Sequence, residues 1–293
     1  MKSLKGAGVA IVTPFLPSGQ VDFSALESLT EFWISEGLDY LVVNGTTAEN
    51  PVLSSNEKKE ILASVLNVSQ GRVPIVFGIG GNHTRALQED LINSDLSGVT
   101  AILSVTPFYN KPNQQGLYSH FAALAELSPL PIILYNVPGR TGVNMSAETT
   151  LKLAKDFSVF CGIKEASGSM HQITRILYER PRDSFLVISG DDAITFPLLA
   201  SGADGVISVV ANAFPNRFSS MVHAAMAGEM AEAQEHHKAL YSIMNAIFDE
   251  GSPAGIKEVM EHLNLCSKTV RPPLTPVSDS LANLLKRMAS TLV

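Results

Sequence analysis

Short apolar runs alternate with amphipathic segments along the first 228 residues of the chain. The apolar runs fall at residues 8–13, 40–45, 73–80, 101–105, 131–136, 160–165, 185–190 and 205–210. Each is nearly continuous in Val, Ile, Leu, Ala and Phe, as expected of strands buried on both faces and therefore of a parallel sheet. Between them, segments such as 24–36, 54–70, 115–126 and 169–179 carry apolar residues at helical spacing, and many open on Ser, Asp or Asn, the residues that cap a helix N-terminus. Eight strictly alternating strand and helix patterns fit a closed (β/α)8 TIM barrel over residues 1–228. Strand number alone also admits a doubly wound open sheet. Residues 229–293 lack a strand pattern and predict a C-terminal segment of three helices at 231–248, 253–263 and 278–291, the last preceded by the Pro-rich link RPPLTPVS.

Composition changes this picture in three ways. The 293-residue chain is 45% hydrophobic, enough for a sizeable core, yet only 17% charged. That is below the roughly 25% usual for soluble domains, which suggests that other subunits cover part of the surface, although loosely packed surface loops explain it equally. A formal charge of −7 without any basic stretch argues against nucleic acid as a partner. Only Cys161 and Cys266 occur, so no disulfide framework is implied. The opening MKSLKGAGVAIVTPF has no apolar block followed by a small-residue cleavage site. Nor does any stretch approach the roughly 18 consecutive apolar residues of a membrane helix. The expectation is a cytoplasmic protein that engages no membrane.

If the fold is a barrel, its chemistry belongs at the carboxyl ends of the strands. The sixth run ends in FCGIKEASG, where Lys164 is a lone cation in an apolar strand. Strict alternation puts Cys161 and Ile163 on one face and Gly162 and Lys164 on the other. A buried ammonium is costly unless paired or deprotonated, and a desolvated amine is the nucleophile that forms Schiff bases with carbonyl compounds. A structural lysine bonded to a buried carboxylate is the competing reading. After the second run, GTTAEN offers a Gly and two hydroxyl residues, Thr46 and Thr47, at a turn able to aim N–H groups at an anion; plain helix capping explains the same residues. After the fourth, TPFYNKP places Tyr109 beside Phe108 in a loop, where two adjacent rings call for a surface such as an oligomer interface. The fifth ends in LYNVPGRTG, with Tyr135 placed as a general acid or base and Arg140 as a bidentate carboxylate ligand. A core phenol and a surface ion pair are the plainer alternatives. The seventh ends in SGDDA, where Asp192 reads as the cap of the following helix. The seven His residues show no metal-ligand spacing, and FGIGGNHT lacks the Lys-Ser/Thr of a P-loop. No metal and no cofactor are expected.

With GTTAEN, TPFYNKP, LYNVPGRTG, GIKEASG and SGDDA in this order, the chain resembles over nearly its whole length the pyruvate-dependent class I aldolases and lyases typified by dihydrodipicolinate synthase. The resemblance implies that Lys164 forms the Schiff base with pyruvate and that Tyr135 shuttles protons. It implies that Thr47 links Tyr135 to Tyr109, which in the family reaches across a dimer interface into the neighbouring site. The backbone of Thr46 and Thr47 would hold the pyruvate carboxylate, Arg140 would receive L-aspartate 4-semialdehyde, and Gly190 and Ile207 would line the lysine pocket. The implied assembly is a homotetramer built from tight dimers. Sister families that act on sugar acids, N-acetylneuraminate lyase and keto-deoxy-gluconate aldolase among them, resemble the chain less around Arg140. Two departures stand out: Ala48 replaces the usual Gly of GTTGE, and Gly139 replaces the Ser of NVPSR. The positions matching the family's lysine-feedback site read Asn50, Pro51, Ser55, Lys58, Asn82, Ala86 and Phe108. A carboxylate is missing at Ala86 and a like charge is added at Lys58, so weak or absent feedback by lysine is expected.

Overall fold

A computed structural model of the chain describes residues 4–292. Eight strands form a closed parallel barrel in sequence order: β1 (Gly6–Ala10), β2 (Tyr40–Val43), β3 (Ile75–Gly78), β4 (Ala101–Val105), β5 (Ile132–Asn136), β6 (Phe160–Glu165), β7 (Leu186–Ser189) and β8 (Gly205–Ser208). β8 closes onto β1 with Ala7 opposite Val206 and Gly8 opposite Ile207. The barrel expected from the alternation is therefore present, and the open sheet is excluded by the β1–β8 pairing.

Helices α1 (Phe23–Ser35), α2 (Ser55–Ser69), α3 (Thr84–Asn93) and α4 (Gln114–Ala125) follow the first four strands. After β5 come a single turn, α5 (Pro138–Thr141), and then α6 (Ala147–Asp156). The barrel helices end with α7 (Met170–Glu179), α8 (Asp192–Ala200) and α9 (Pro215–Ala227). Their starts are chemically marked. Asp22, Asn113, Ser146 and Ser169 each accept a bond from a first-turn N–H, and Ser54 and Glu57 form a reciprocal capping box at α2. Gly228, at positive φ, ends α9, and the chain continues as α10 (Met230–Ala246), α11 (Ala254–His262) and α12 (Asp279–Ser290). Leu240, Ile243, Val259 and Leu285 from these last helices belong to the same apolar cluster as the barrel helices.

Alternation along each strand divides the core in two. Leu41, Val43, Leu134, Ile163 and Val206 point outward beneath the helices, while Tyr40, Val42, Ile133, Tyr135, Ile188 and Ile207 fill the barrel interior. Burying these side chains on both faces of the sheet, at about 1.5–3 kcal/mol each, drives closure. Space inside is tight: a Cβ on Gly8 would lie 2.2 Å from the Tyr40 ring, whose hydroxyl donates to the Val206 carbonyl at 2.9 Å.

Strict alternation fails at one point. Ile132 pairs with Phe160 but Ile133 pairs with Gly162, so Cys161 is the extra residue of a bulge. Cys161 consequently packs against the interior cluster and does not share the outward face of Ile163, while Gly162 and Lys164 keep the inward phase. Burial pushes the Cys161 thiol up to about 12, far from the range of a reactive thiolate.

Candidate active site

Lys164 and Tyr135 are penultimate residues of β6 and β5 and pair directly across the two strands. Both side chains are buried, and Lys164 Nζ lies 4.5 Å from the centroid of the Tyr135 ring. The absence of a side chain at Gly190, just beyond β7, leaves the lysine its channel. A Cβ there would sit 3.0 Å from Lys164 Cε and 2.8 Å from the Ala166 Cβ. Ile207 is wholly buried in the interior cluster that also holds Tyr135.

After β2 the chain turns through one 3-10 turn, Thr46–Ala48, closed by Ala48 N–H on Gly45 O at 3.2 Å and Glu49 N–H on Thr46 O at 3.1 Å. The N–H groups of Thr46 and Thr47, at the start of that turn, have no carbonyl within it to bond. Thr13 Oγ1 donates to Ala48 O at 2.8 Å, and Asn50 Nδ2 donates to Asn44 O at 2.8 Å, so the turn is held on both sides. Thr47 is buried and Thr46 half-buried.

Two of the expected residues stand apart in the single chain. Tyr109 is 89% exposed, in left-handed backbone geometry (φ 69°), and Phe108 beside it is also exposed. Their loop is nonetheless built, with Asn82 Nδ2 donating to Phe108 O and Asn110 Nδ2 donating to Asn82 O, each at 3.1 Å. Arg140 is exposed on α5, its guanidinium free of an intramolecular ion pair among the described residues. No hydrogen bond joins the side chains of Thr47, Tyr135 and Tyr109 among the described residues. Nor do three His, Cys, Asp or Glu side chains converge there as a metal site would require.

Asp192 departs from its expected place. The N-cap of α8 is Asp191, whose carboxylate accepts from the Ala193 N–H at 3.0 Å. Asp192 is the first helical residue, and its side chain turns inward to accept the Val209 and Val210 N–H groups at 3.0 and 2.8 Å. Capping needs a side chain just before the first turn, and that is the position Asp191 occupies. Burial raises the Asp192 carboxyl to about 6, against the lowering by the two backbone donors.

Three features near the site escaped the sequence reading. Glu165, next to Lys164 on the opposite face of β6, is fully buried and has no cationic partner among the described residues. It accepts from Asn136 Nδ2 at 3.0 Å, Gln172 Nε2 at 2.7 Å and the Ser167 N–H at 2.9 Å. Burial raises its carboxyl, and those donors oppose the rise. Asn136 in turn bonds Asn144 and accepts from the Met145 N–H, so one network ties the ends of β5 and β6 to the segment after Arg140. A carboxylate ending an apolar strand was its only signal. The second feature is a buried pair, Glu49–Lys257, between residues 208 positions apart, which no local pattern reveals. The third is an open cavity of about 720 Å³ between α2 and α3, whose lining includes Asn50, Ser55 and Lys58; the sequence reading names those three positions for the feedback site but not the cavity itself. Burial lowers the Lys58 ammonium from its ordinary value.

The model of the dihydrodipicolinate synthetase family matches residues 3–292. The chain belongs to that family. Relatives named 4-hydroxy-tetrahydrodipicolinate synthase include one from Flavobacterium psychrophilum, 47% identical over 285 residues and 97% of both chains. Another, from Parabacteroides distasonis, is 49% identical over 94% of this chain and 92% of its own. Among solved structures, the dihydrodipicolinate synthase of Thermotoga maritima superposes with a TM-score of 0.95 at 36% identity over 98% of each chain. A chloride-inhibited family member from Acinetobacter baumannii, crystallised with pyruvate, also gives 0.95 at 36% identity over 99% of this chain and 100% of its own. Within the dihydrodipicolinate synthetase family, then, the Lys164–Tyr135 pair lies where a barrel places its chemistry, at the carboxyl ends of the strands.

Proposed function

We propose that the chain condenses pyruvate with L-aspartate 4-semialdehyde, the reaction of a 4-hydroxy-tetrahydrodipicolinate synthase in the diaminopimelate route to lysine. The observation that carries this reading is Lys164, buried at 4.5 Å from the Tyr135 ring in a channel that Gly190 leaves open. Relatives 44–49% identical that carry the name 4-hydroxy-tetrahydrodipicolinate synthase support the substrate pair, and the pyruvate-bound relative supports pyruvate as the first of the two.

The free amine of Lys164 attacks the ketone carbon of pyruvate. Proton transfers through the Tyr135 hydroxyl release water and leave the imine. The free N–H groups of Thr46 and Thr47 hold the pyruvate carboxylate by charge-assisted bonds. Loss of a methyl proton gives the enamine, whose carbon bonds to the aldehyde carbon of the semialdehyde as the carbonyl oxygen takes a proton to become a hydroxyl and the imine re-forms. Arg140 takes that substrate's carboxylate at the mouth of the barrel. The substrate's own amine then adds to the imine carbon, Lys164 departs as the amine, and the ring closes. Thr47 and Tyr109 complete the proton relay, Tyr109 reaching into a neighbouring subunit's site. Its 89% exposure in the single chain supports that placement.

Borohydride added with pyruvate is expected to leave one reduced pyruvyl adduct, located on Lys164 by peptide mass spectrometry. Arg140→Ala should keep that adduct and lose about 10- to 100-fold in kcat/KM for the semialdehyde, the worth of a hydrogen bond to a charged group. An adduct elsewhere, or none, would defeat the reading. Turnover of sugar acids with none of the semialdehyde would move the chain to the sugar-acid lyases.

A further inference from the structure

The residue that ends the Thr46–Ala48 turn is Glu49, held in left-handed geometry (φ 58°) with its side chain wholly buried. A non-glycine residue adopts that geometry only where its surroundings hold it there. Both carboxylate oxygens are committed to the far end of the chain. Oε1 accepts from Lys257 Nζ at 2.6 Å, and Oε2 accepts from the Arg271 N–H at 2.9 Å. Lys257, fully buried on α11, also donates to Thr269 O at 2.9 Å and lies 4.3 Å from the Phe15 ring centroid. The Arg271 guanidinium lies 4.4 Å from the same centroid and bonds the carbonyls of Gly19 and Val52, each at 2.9 Å, as well as Glu57. Loops that follow β1 and β2 are thus fastened to one stretch of the C-terminal segment.

A fully buried ion pair contributes little net stability, because desolvation offsets the attraction. What it does supply is a fixed geometry and a cancelled charge. Glu49 stands two residues from Thr47, beside N–H groups meant for an anion, and an unpaired carboxylate there would repel that anion.

We propose that Lys257 is a positioning residue for pyruvate binding: through Glu49 it pins the turn whose Thr46 and Thr47 N–H groups receive the pyruvate carboxylate. The inference rests on the reading of that turn given above. Lys257 touches no substrate, so its removal acts on pyruvate affinity and leaves the chemical step at Lys164 in place.

The test uses the full chain with Lys257→Met and, as a milder change, Glu49→Gln, which keeps one acceptor and the side-chain shape. Circular dichroism and thermal melting report the folded fraction. For folded Lys257→Met the pyruvate KM is expected to rise about tenfold, with kcat and the semialdehyde KM within about threefold of the parent, as loss of uniform binding predicts. Glu49→Gln should raise the pyruvate KM in the same direction by less. The pyruvate concentration that half-saturates hydride trapping at Lys164 should move in parallel. The proposal is overturned if both folded variants keep the parent's pyruvate dependence. It is equally overturned if kcat falls with KM unchanged, or if losses only track the unfolded fraction. In each of those outcomes the parent still forms the Lys164 adduct. Failure of the parent to form it would instead remove the underlying reading.

Discussion

At the scale of single residues, burial sets the behaviour of carboxyls that a surface reading treats as ordinary. Asp192 holds its proton to about 6 against an ordinary 3.8, chiefly because it is buried. The folded state therefore binds this proton more tightly than the unfolded chain. The resulting stabilisation is fully present below about pH 4 and is lost as pH rises through 6, an effect on the order of 3 kcal/mol. Asp192→Asn keeps an acceptor for the Val209 and Val210 N–H groups and adds no charge. Urea unfolding of variant and parent from pH 4 to 7 should show the variant gaining on the parent by about that amount across the interval. A difference that stays constant with pH would show that Asp192 does not titrate there. Lys164 was legible because a cation in an apolar strand is conspicuous. Glu165 was adjacent but silent, since its meaning depends on Asn136 and Gln172 arriving from other elements.

Among elements, the alternation of apolar runs and capped helices located every strand, and the reason is physical. Strands covered on both faces must be apolar throughout, and helix starts need acceptors for their free N–H groups. Two local departures were not legible. The bulge at Cys161 comes from the register of β6 against β5, and α5 is a single turn too short for a periodic signal. The close approach of β7 to β6 at Gly190 also carries a prediction. In Gly190→Ala the new methyl meets Ala166 Cβ at 2.8 Å and Lys164 Cε at 3.0 Å, so the lysine or the backbone must shift. Misplacing a reacting group by a fraction of an ångström to 1 Å costs up to about 100-fold. Stopped-time borohydride trapping is expected to show adduct formation slowed at least about tenfold, and a parent-like rate would show that the channel tolerates a methyl group.

For the whole molecule, the unsatisfied features point outward. Tyr109 and Phe108 present rings to solvent on a loop that is itself well bonded, and the chain carries few charges for its size. Both fit the homotetramer that the family resemblance implies, in which such rings would gain a surface. Sedimentation is expected to give four copies of the 31.4 kDa chain, and Tyr109→Ala to lose turnover without losing the Lys164 adduct. An active single-chain species would remove Tyr109 from the relay. In the same preparation, millimolar lysine should leave the rate nearly unchanged, because Ala86 offers no carboxylate to an effector's ammonium. Strong inhibition would overturn that expectation.

The order of apolar and polar positions by itself determined eight alternating strand–helix units and the C-terminal helices, and residue chemistry marked the candidate side chains. These depend on periodicity and residue chemistry, which any stretch of chain displays locally. Only the tertiary structure decided which groups meet: Lys164 with Tyr135 across two strands, and Glu49 with Lys257 and Arg271 across more than 200 positions. Contact between distant residues follows from closure of the barrel and the docking of the last helices, and no local pattern encodes a distance in space.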